Sequence, residues 1–104
     1  MTYTLRFGKK FDREYKKLDK SISEQLNKKL SNLKEDPKRI GKPLLYTKPT
    51  IWEIKVEMFR IFYGIDQNKG EVYLLSVKHK DECNKYIRGD YTRDFKEFLD
   101  DVSS

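Results

Sequence analysis

Histidine and cysteine each occur once in this chain, as His79 and Cys83. A single cysteine cannot close an internal disulfide, so the fold has no covalent staple and the chain suits a reducing compartment. One histidine and one cysteine are too few for a zinc site, and no metal or other cofactor is expected. No apolar run approaches the ~20 residues that cross a bilayer. The first residues, Met1-Thr2-Tyr3-Thr4-Leu5-Arg6-Phe7, read as a strand rather than a secretory leader. A cytoplasmic protein with no membrane partner is the expectation. Prolines number three; Pro37, Pro43 and Pro49 all fall, with Gly41, inside residues 36–50, which therefore read as the one long loop.

Acid is also in short supply, with 17 Asp and Glu against 23 Lys and Arg, a net charge of +6. The imbalance is uneven. Residues 90–104 hold Asp90, Asp94, Glu97, Asp100 and Asp101 against Arg93 and Lys96, a net of −3, so residues 1–89 carry +9. A body of that charge favours a polyanionic partner, nucleic acid or an acidic protein, although lysine-rich helices are also simply solvated. The chain has 104 residues, 38% charged and 37% hydrophobic, enough for one domain with a compact core.

Periodicity divides that domain. Residues 2–7 place Tyr3, Leu5 and Phe7 on one strand face. From Gly8 the period lengthens. Phe7, Phe11, Tyr15 and Leu18 form one helical stripe, and Ile22, Leu26, Leu30 and Leu33 a second. Ser21 and Glu24 are spaced as a capping box, and Asp36-Pro37 is a stop. After the loop, Trp52, Ile54, Val56 and Met58 alternate with Glu53, Lys55 and Glu57. Then Ile61, Tyr63 and Ile65 oppose Arg60, Phe62 and Gly64, which makes a hairpin with almost no connecting loop. Residues 66–70 form a turn, and Val72–Val77 is an unbroken apolar run suited to a central strand buried on both faces. This order predicts an α+β domain. An N-terminal strand runs parallel to the last strand, a three-stranded antiparallel meander completes one small sheet, and a two-helix antiparallel hairpin covers one face. Residues 1–89 make this unit. Residues 90–104 add an acidic amphipathic C-terminal helix with Tyr91, Phe95, Phe98, Leu99 and Val102 as its stripe. It docks on its own sheet or helix pair, or on a second subunit.

The chemistry concentrates at two places. Lys55 and Arg60 leave the hairpin together, on the face opposite its apolar set. Two cations on a rigid hairpin suit a phosphate; the alternative is a cross-strand charge set neutralised by Glu53 or Glu57. The central strand ends in Lys78-His79-Lys80, and Tyr86 follows six residues after Lys80. An imidazole suits acid–base work near neutral pH, and a phenol can donate a hydrogen bond or stack on a base. For His79 a surface or packing role is the plainer reading; for Tyr86 a partly buried aromatic closing the core is an equal alternative. Nothing in the sequence around Cys83 marks it as a nucleophile.

Taken in order, these residues resemble the RelE/ParE superfamily of small toxins from toxin–antitoxin pairs. Trp52-Glu53-Ile54-Lys55-Val56 and Phe59-Arg60-Ile61-Phe62-Tyr63 are similar to the family hairpin, and His79-Lys80 with Tyr86 to the segment that follows. Gly41-Lys42-Pro43-Leu44 resembles the loop before the hairpin. The resemblance spans residues 2–88. It implies a metal-independent endoribonuclease that cuts mRNA in the ribosomal A site by attack of the RNA 2′-hydroxyl on the adjacent phosphorus. The site it implies is Lys55, Arg60, His79, Lys80 and Tyr86, with Lys55, Arg60, Lys78 and Lys80 binding RNA. Lys80 stands where many relatives carry arginine, and lysine lacks the planar fork that grips two phosphate oxygens. The implied partners are a cognate antitoxin protein, mRNA and the ribosome. A ParE-like gyrase inhibitor and a catalytically inactive RNA- or ribosome-binding relative are the alternatives.

Overall fold

The computed structural model describes residues 2–103, with side chains described through Phe98. Strand β1 (Thr4–Phe7) leads into helices α1 (Lys9–Lys16) and α2 (Lys20–Glu35). A short turn of helix, α3 (Pro37–Ile40), and strand β2 (Lys42–Leu44) precede the hairpin of β3 (Ile51–Val56) and β4 (Phe59–Asp66). The central strand β5 (Glu71–His79) is followed by a 3-10 turn (Lys80–Glu82), a brief α4 (Cys83–Lys85), a wide turn (Tyr86–Asp90) and the C-terminal helix α5 (Tyr91–Ser103). The five strands form one sheet in the order β1-β5-β4-β3-β2. β1 runs parallel to β5 and every other pair is antiparallel, as the pattern of crossover and hairpins requires.

Two local expectations change. The loop at residues 36–50 contains a fifth strand, because Pro43 lacks only an N–H that an edge strand can forgo, and β2 is an edge. Helix α2 is capped two residues earlier than the Ser21/Glu24 box: the Asp19 carboxylate accepts the Ile22 N–H at 2.9 Å.

The helix stripes face the sheet except at the ends of the first: Phe7 closes β1 and is 45% exposed, and Leu18 lies past α1. Phe11 of α1 and Leu26, Leu30 and Leu33 of α2 pack against Ile54, Val56, Ile61, Tyr63, Val72, Leu74 and Val77 on one face of the sheet. Met58, expected to continue the β3 alternation, is half exposed, because it belongs to the two-residue turn Glu57-Met58 and has left the strand.

The other face is not open along its length. Phe62, Tyr73 and Leu75 are covered by Tyr86, Tyr91, Phe95 and Phe98. The Tyr73 and Phe98 rings stack at 4.5 Å and 5°. The acidic tail therefore docks on its own sheet, driven by the apolar surface that a two-sided central strand must hide. Leu99 and Val102, the remainder of the expected stripe, lie outside the described side chains. Acid in α5 also serves α1: Glu97 Oε1 accepts the Lys9 N–H at 3.3 Å, at a helix N-terminus where Gly8 offers no side-chain cap.

Gly64 lets α5 approach. A Cβ there would stand 2.7 Å from Cε2 and 2.8 Å from Cζ of Phe95. Gly64→Ala should therefore cost about 1–3 kcal/mol in urea unfolding, the usual scale for an overpacked core. A variant as stable as the parent would mean that α5 does not sit on β4.

Candidate functional site

Strand register decides which cations meet. Lys55 of β3 stands opposite Arg60 of β4, and Arg60 opposite Lys78 of β5. The three form one cross-strand row, with neighbouring Cβ atoms about 5 Å apart. Lys78 joins because of an irregularity between Phe62 and Tyr63: Phe62 pairs with Ser76 and Tyr63 with Leu74, leaving Leu75 as an extra residue in β5. This bulge reverses the strand's alternation. Ser76 and Lys78 thus fall on the face of Tyr73 and Leu75.

Like charges side by side repel, and two carboxylates offset that repulsion. Glu53 Oε1 lies 3.4 Å from Arg60 Nε. Glu14 Oε2, reaching in from α1, lies 2.7 Å from Lys78 Nζ. Its Oε1 accepts the Ser76 hydroxyl at 2.7 Å and the Val77 N–H at 3.2 Å. Glu14 thereby closes the β5 edge beyond the last residue of β1. Burial alone pushes the Lys78 ammonium down, but hydrogen bonding and charge from Glu14 outweigh it and hold it above its usual value. Arg60 also holds the hairpin turn, its Nη1 donating to the Phe59 carbonyl at 3.0 Å and the Glu57 carbonyl at 3.3 Å. Glu57 there has a φ of 55°. Lys55 is exposed, and among the described residues its ammonium has no ion pair.

The remaining expected residues are placed differently. His79 pairs with Phe59 and packs edge-on against its ring at 5.5 Å, on the opposite side of β5 from Lys78. Its Nδ1 accepts the Asp81 N–H at 3.2 Å, capping the 3-10 turn, which leaves Nε2 to carry the proton in the neutral ring. When the ring is protonated, the same Nδ1 faces Asp81 Oδ2 at 3.4 Å. Lys80 is exposed just past the strand end. Tyr86 is 1% exposed, packed on Phe62 at 4.8 Å. Its hydroxyl donates to Asp94 Oδ2 at 2.8 Å, and that oxygen also meets Lys10 Nζ at 3.3 Å. Lys10 and Lys78 hold their ammonium groups 5.1 and 5.8 Å from the Tyr86 ring centre, within cation–π range. Burial first, then the Asp94 charge and hydrogen bond, pushes the phenol well above its ordinary range. The phenol therefore keeps its proton, which it gives to Asp94 in a hydrogen bond. Burial, with the Glu53 charge adding, likewise pushes the Cys83 thiol up, the reverse of an activated nucleophile.

Register thus unites Lys55, Arg60 and Lys78, with Tyr86 beneath them and His79 and Lys80 at the strand end. Sequence reasoning missed Glu14, Asp94 and Lys10 as members of this network. Glu14 had a signal: it lies three residues after Phe11 and so flanks the inward stripe of α1. Its bonds to β5 depend on tertiary contact.

A pH dependence follows. Tyr86 and Tyr73 both hold their protons more tightly folded than unfolded, Tyr73 up to about 12, mainly through burial and then through Asp66. Their contributions are complete below the unfolded value of about 10 and are lost as pH rises towards the folded values. Stability should fall above pH ~10, and Tyr86→Phe should make that fall shallower by about 1.4 kcal/mol per pH unit. Urea unfolding between pH ~10 and ~11 checks this; equal slopes would contradict the buried, proton-holding phenol.

Comparison with known proteins bears on the family and the fold. A family model described as the ParE toxin of the type II toxin–antitoxin system parDE matches residues 2–83. The mRNA interferase toxin RelE of Escherichia coli K12 is 32% identical over 88 residues, covering 83% of this chain and 92% of that protein. Among solved structures, the RelBE2 toxin–antitoxin complex of Mycobacterium tuberculosis matches with a TM-score of 0.68 at 28% identity, over 76% of this chain and 99% of that one. A mutant of E. coli RelE in the free state matches with a TM-score of 0.67 at 26% identity, over 90% and 94%. No described helix is long and apolar enough to cross a membrane. On sequence and fold together, the chain belongs to the RelE/ParE superfamily of toxins from toxin–antitoxin systems.

Proposed function

We propose that this toxin is a metal-independent endoribonuclease that cuts mRNA and is held in check by a cognate antitoxin. The observation that carries the reading is the cross-strand row Lys55–Arg60–Lys78. Three cations on a rigid sheet suit a phosphodiester whose negative charge grows as a pentacoordinate phosphorus forms. In the proposed reaction the RNA 2′-oxygen bonds to the adjacent phosphorus and loses its proton. The bond to the 5′-oxygen breaks, that oxygen gains a proton, and a 2′,3′-cyclic phosphate remains. Lys55 and Arg60, with Lys78 and Lys80 alongside, bind the RNA and offset the phosphorane charge. His79, on the other side of β5 from Lys78, is the acid–base group for RNA that passes round the strand end, and buried Tyr86, its hydroxyl given to Asp94, supports Lys10 and Lys78 beneath the row. Without a pair of strong bases beside the row, the site depends on outside positioning of the RNA, which the ribosomal A site would provide. The relative named an mRNA interferase and the toxin–antitoxin complex among the structural neighbours support substrate and partner respectively. The protein acts in the cytoplasm on this reading.

Lys55 gives the cleanest test, because Arg60 also holds the hairpin turn and its loss would cost stability. Lys55→Ala should leave stability within about 0.5 kcal/mol, as for an exposed side chain. It should slow cleavage of mRNA on translating ribosomes about 10²-fold, the scale of one lost charge-stabilising group. Cleavage should persist in a chelator and leave a 2′,3′-cyclic phosphate. An unchanged rate for Lys55→Ala would remove Lys55 from the site. Absence of cleavage by the parent protein, with inhibition of gyrase supercoiling instead, would favour the alternative of a ParE-like gyrase inhibitor.

A further inference from the structure

Between β2 and β3 the chain presents two large apolar side chains to solvent: Leu45 is 80% and Tyr46 69% exposed. The segment that carries them is firmly built. Thr47, 1% exposed, donates from Oγ1 to the Leu44 carbonyl at 2.6 Å and accepts the Ile51 N–H at 2.9 Å. The Lys48 N–H donates to the Tyr91 hydroxyl of α5 at 3.0 Å. A tyrosine held out on an anchored loop is a preorganised surface, and its ordering is complete before any ligand arrives.

Charge within the segment itself has one sign. Residues 37–52 include Lys38, Arg39, Lys42 and Lys48 and no acid. All four cations are exposed, and among the described residues none forms an ion pair. Lys42 stands opposite Glu53 in the β2–β3 register, on the same sheet face as Lys55 and one cross-strand row, about 7 Å, away. Glu53, already paired with Arg60, stands between Lys42 and the cation row on that face. A planar ring flanked by unpaired cations matches the alternation of bases and phosphates in a single strand. Two apolar side chains fall short of the several hundred Å² expected of a protein-docking patch.

We propose that this segment is a second RNA contact, in which Tyr46 stacks on an unpaired base while Lys42 and Lys48 hold the flanking phosphates. The inference rests on the RNA reading above and adds a subsite that the phosphate row does not require.

The test is fluorescence anisotropy with a short, unstructured 2′-O-methyl oligoribonucleotide, which has no free 2′-hydroxyl and stays intact. Tyr46→Ala should weaken binding about tenfold, the scale of one lost base stack, while Tyr46→Phe should bind like the parent. Because Tyr46→Ala removes no charge, its salt dependence should equal the parent's. Lys42→Ala and Lys48→Ala should each reduce the slope of log affinity against log salt by about 0.7. Parent-like binding by Tyr46→Ala would overturn the subsite and leave the phosphate row standing. The same result with loss of antitoxin assembly would reassign the loop to protein docking. Failure of the parent protein to bind the oligonucleotide would overturn the subsite, whereas the reading of the phosphate row stands or falls on cleavage of mRNA on translating ribosomes.

Discussion

The polar structure of this toxin is organised around a repulsion. Lys55, Arg60 and Lys78 stand in one row of a sheet, an arrangement that like charges oppose by a fraction of a kcal/mol per pair. Two of the three are held by carboxylates from different elements, Arg60 by Glu53 of β3 and Lys78 by Glu14 of α1. Each holding carboxylate leaves its cation only partly covered, with 18% and 17% of the Arg60 and Lys78 side chains still accessible. Lys55 at the end of the row is exposed. The row keeps surplus positive charge directed at solvent, and a phosphate could take over the neutralising role.

The same strand dictates the cover. β5 is buried on both faces because it lies between β1 and β4 and carries apolar residues on both sides. Helices α1 and α2 hide one side, and α5 hides the other. Once α5 is seated, Asp94 becomes the acceptor for the Tyr86 hydroxyl and the counter-charge of Lys10. The negative charge of the tail is thus spent locally, on α1 and on the floor of the site. The bulge at Leu75 makes both arrangements compatible: before it the strand alternates to build two cores, and after it Lys78 is turned towards Arg60.

Much of this was legible in the sequence. Periods of two and of three to four residues placed β1, both long helices, the hairpin and the central strand, and the ordered residues from Trp52 to Tyr86 placed the chain in its family. The pairing of Lys55 with Arg60 followed from a tight hairpin, since register there is fixed by the turn. What escaped depended on contacts distant in sequence. A bulge leaves no mark in an apolar run such as Val72–Val77, so the turn of Lys78 onto the row could not be read. Lys42-Pro43-Leu44 is too short and too proline-marked to announce a strand. Tyr86 looked like an open acid–base group because only the docked α5 shows it to be buried and bonded to Asp94. Glu14 was not singled out, because its bonds to β5 form only once α1 lies along the free edge of that strand.

The central claim is that the cross-strand row holds an RNA phosphate. It is tested most directly by NMR of the lysine ammonium and arginine guanidinium groups during titration with a 2′-deoxy-blocked mRNA fragment. The account predicts that Lys55, Arg60 and Lys78 shift together and saturate at one RNA concentration. Shifts confined to the lysines of α1 and α2, with the row unmoved, would contradict it.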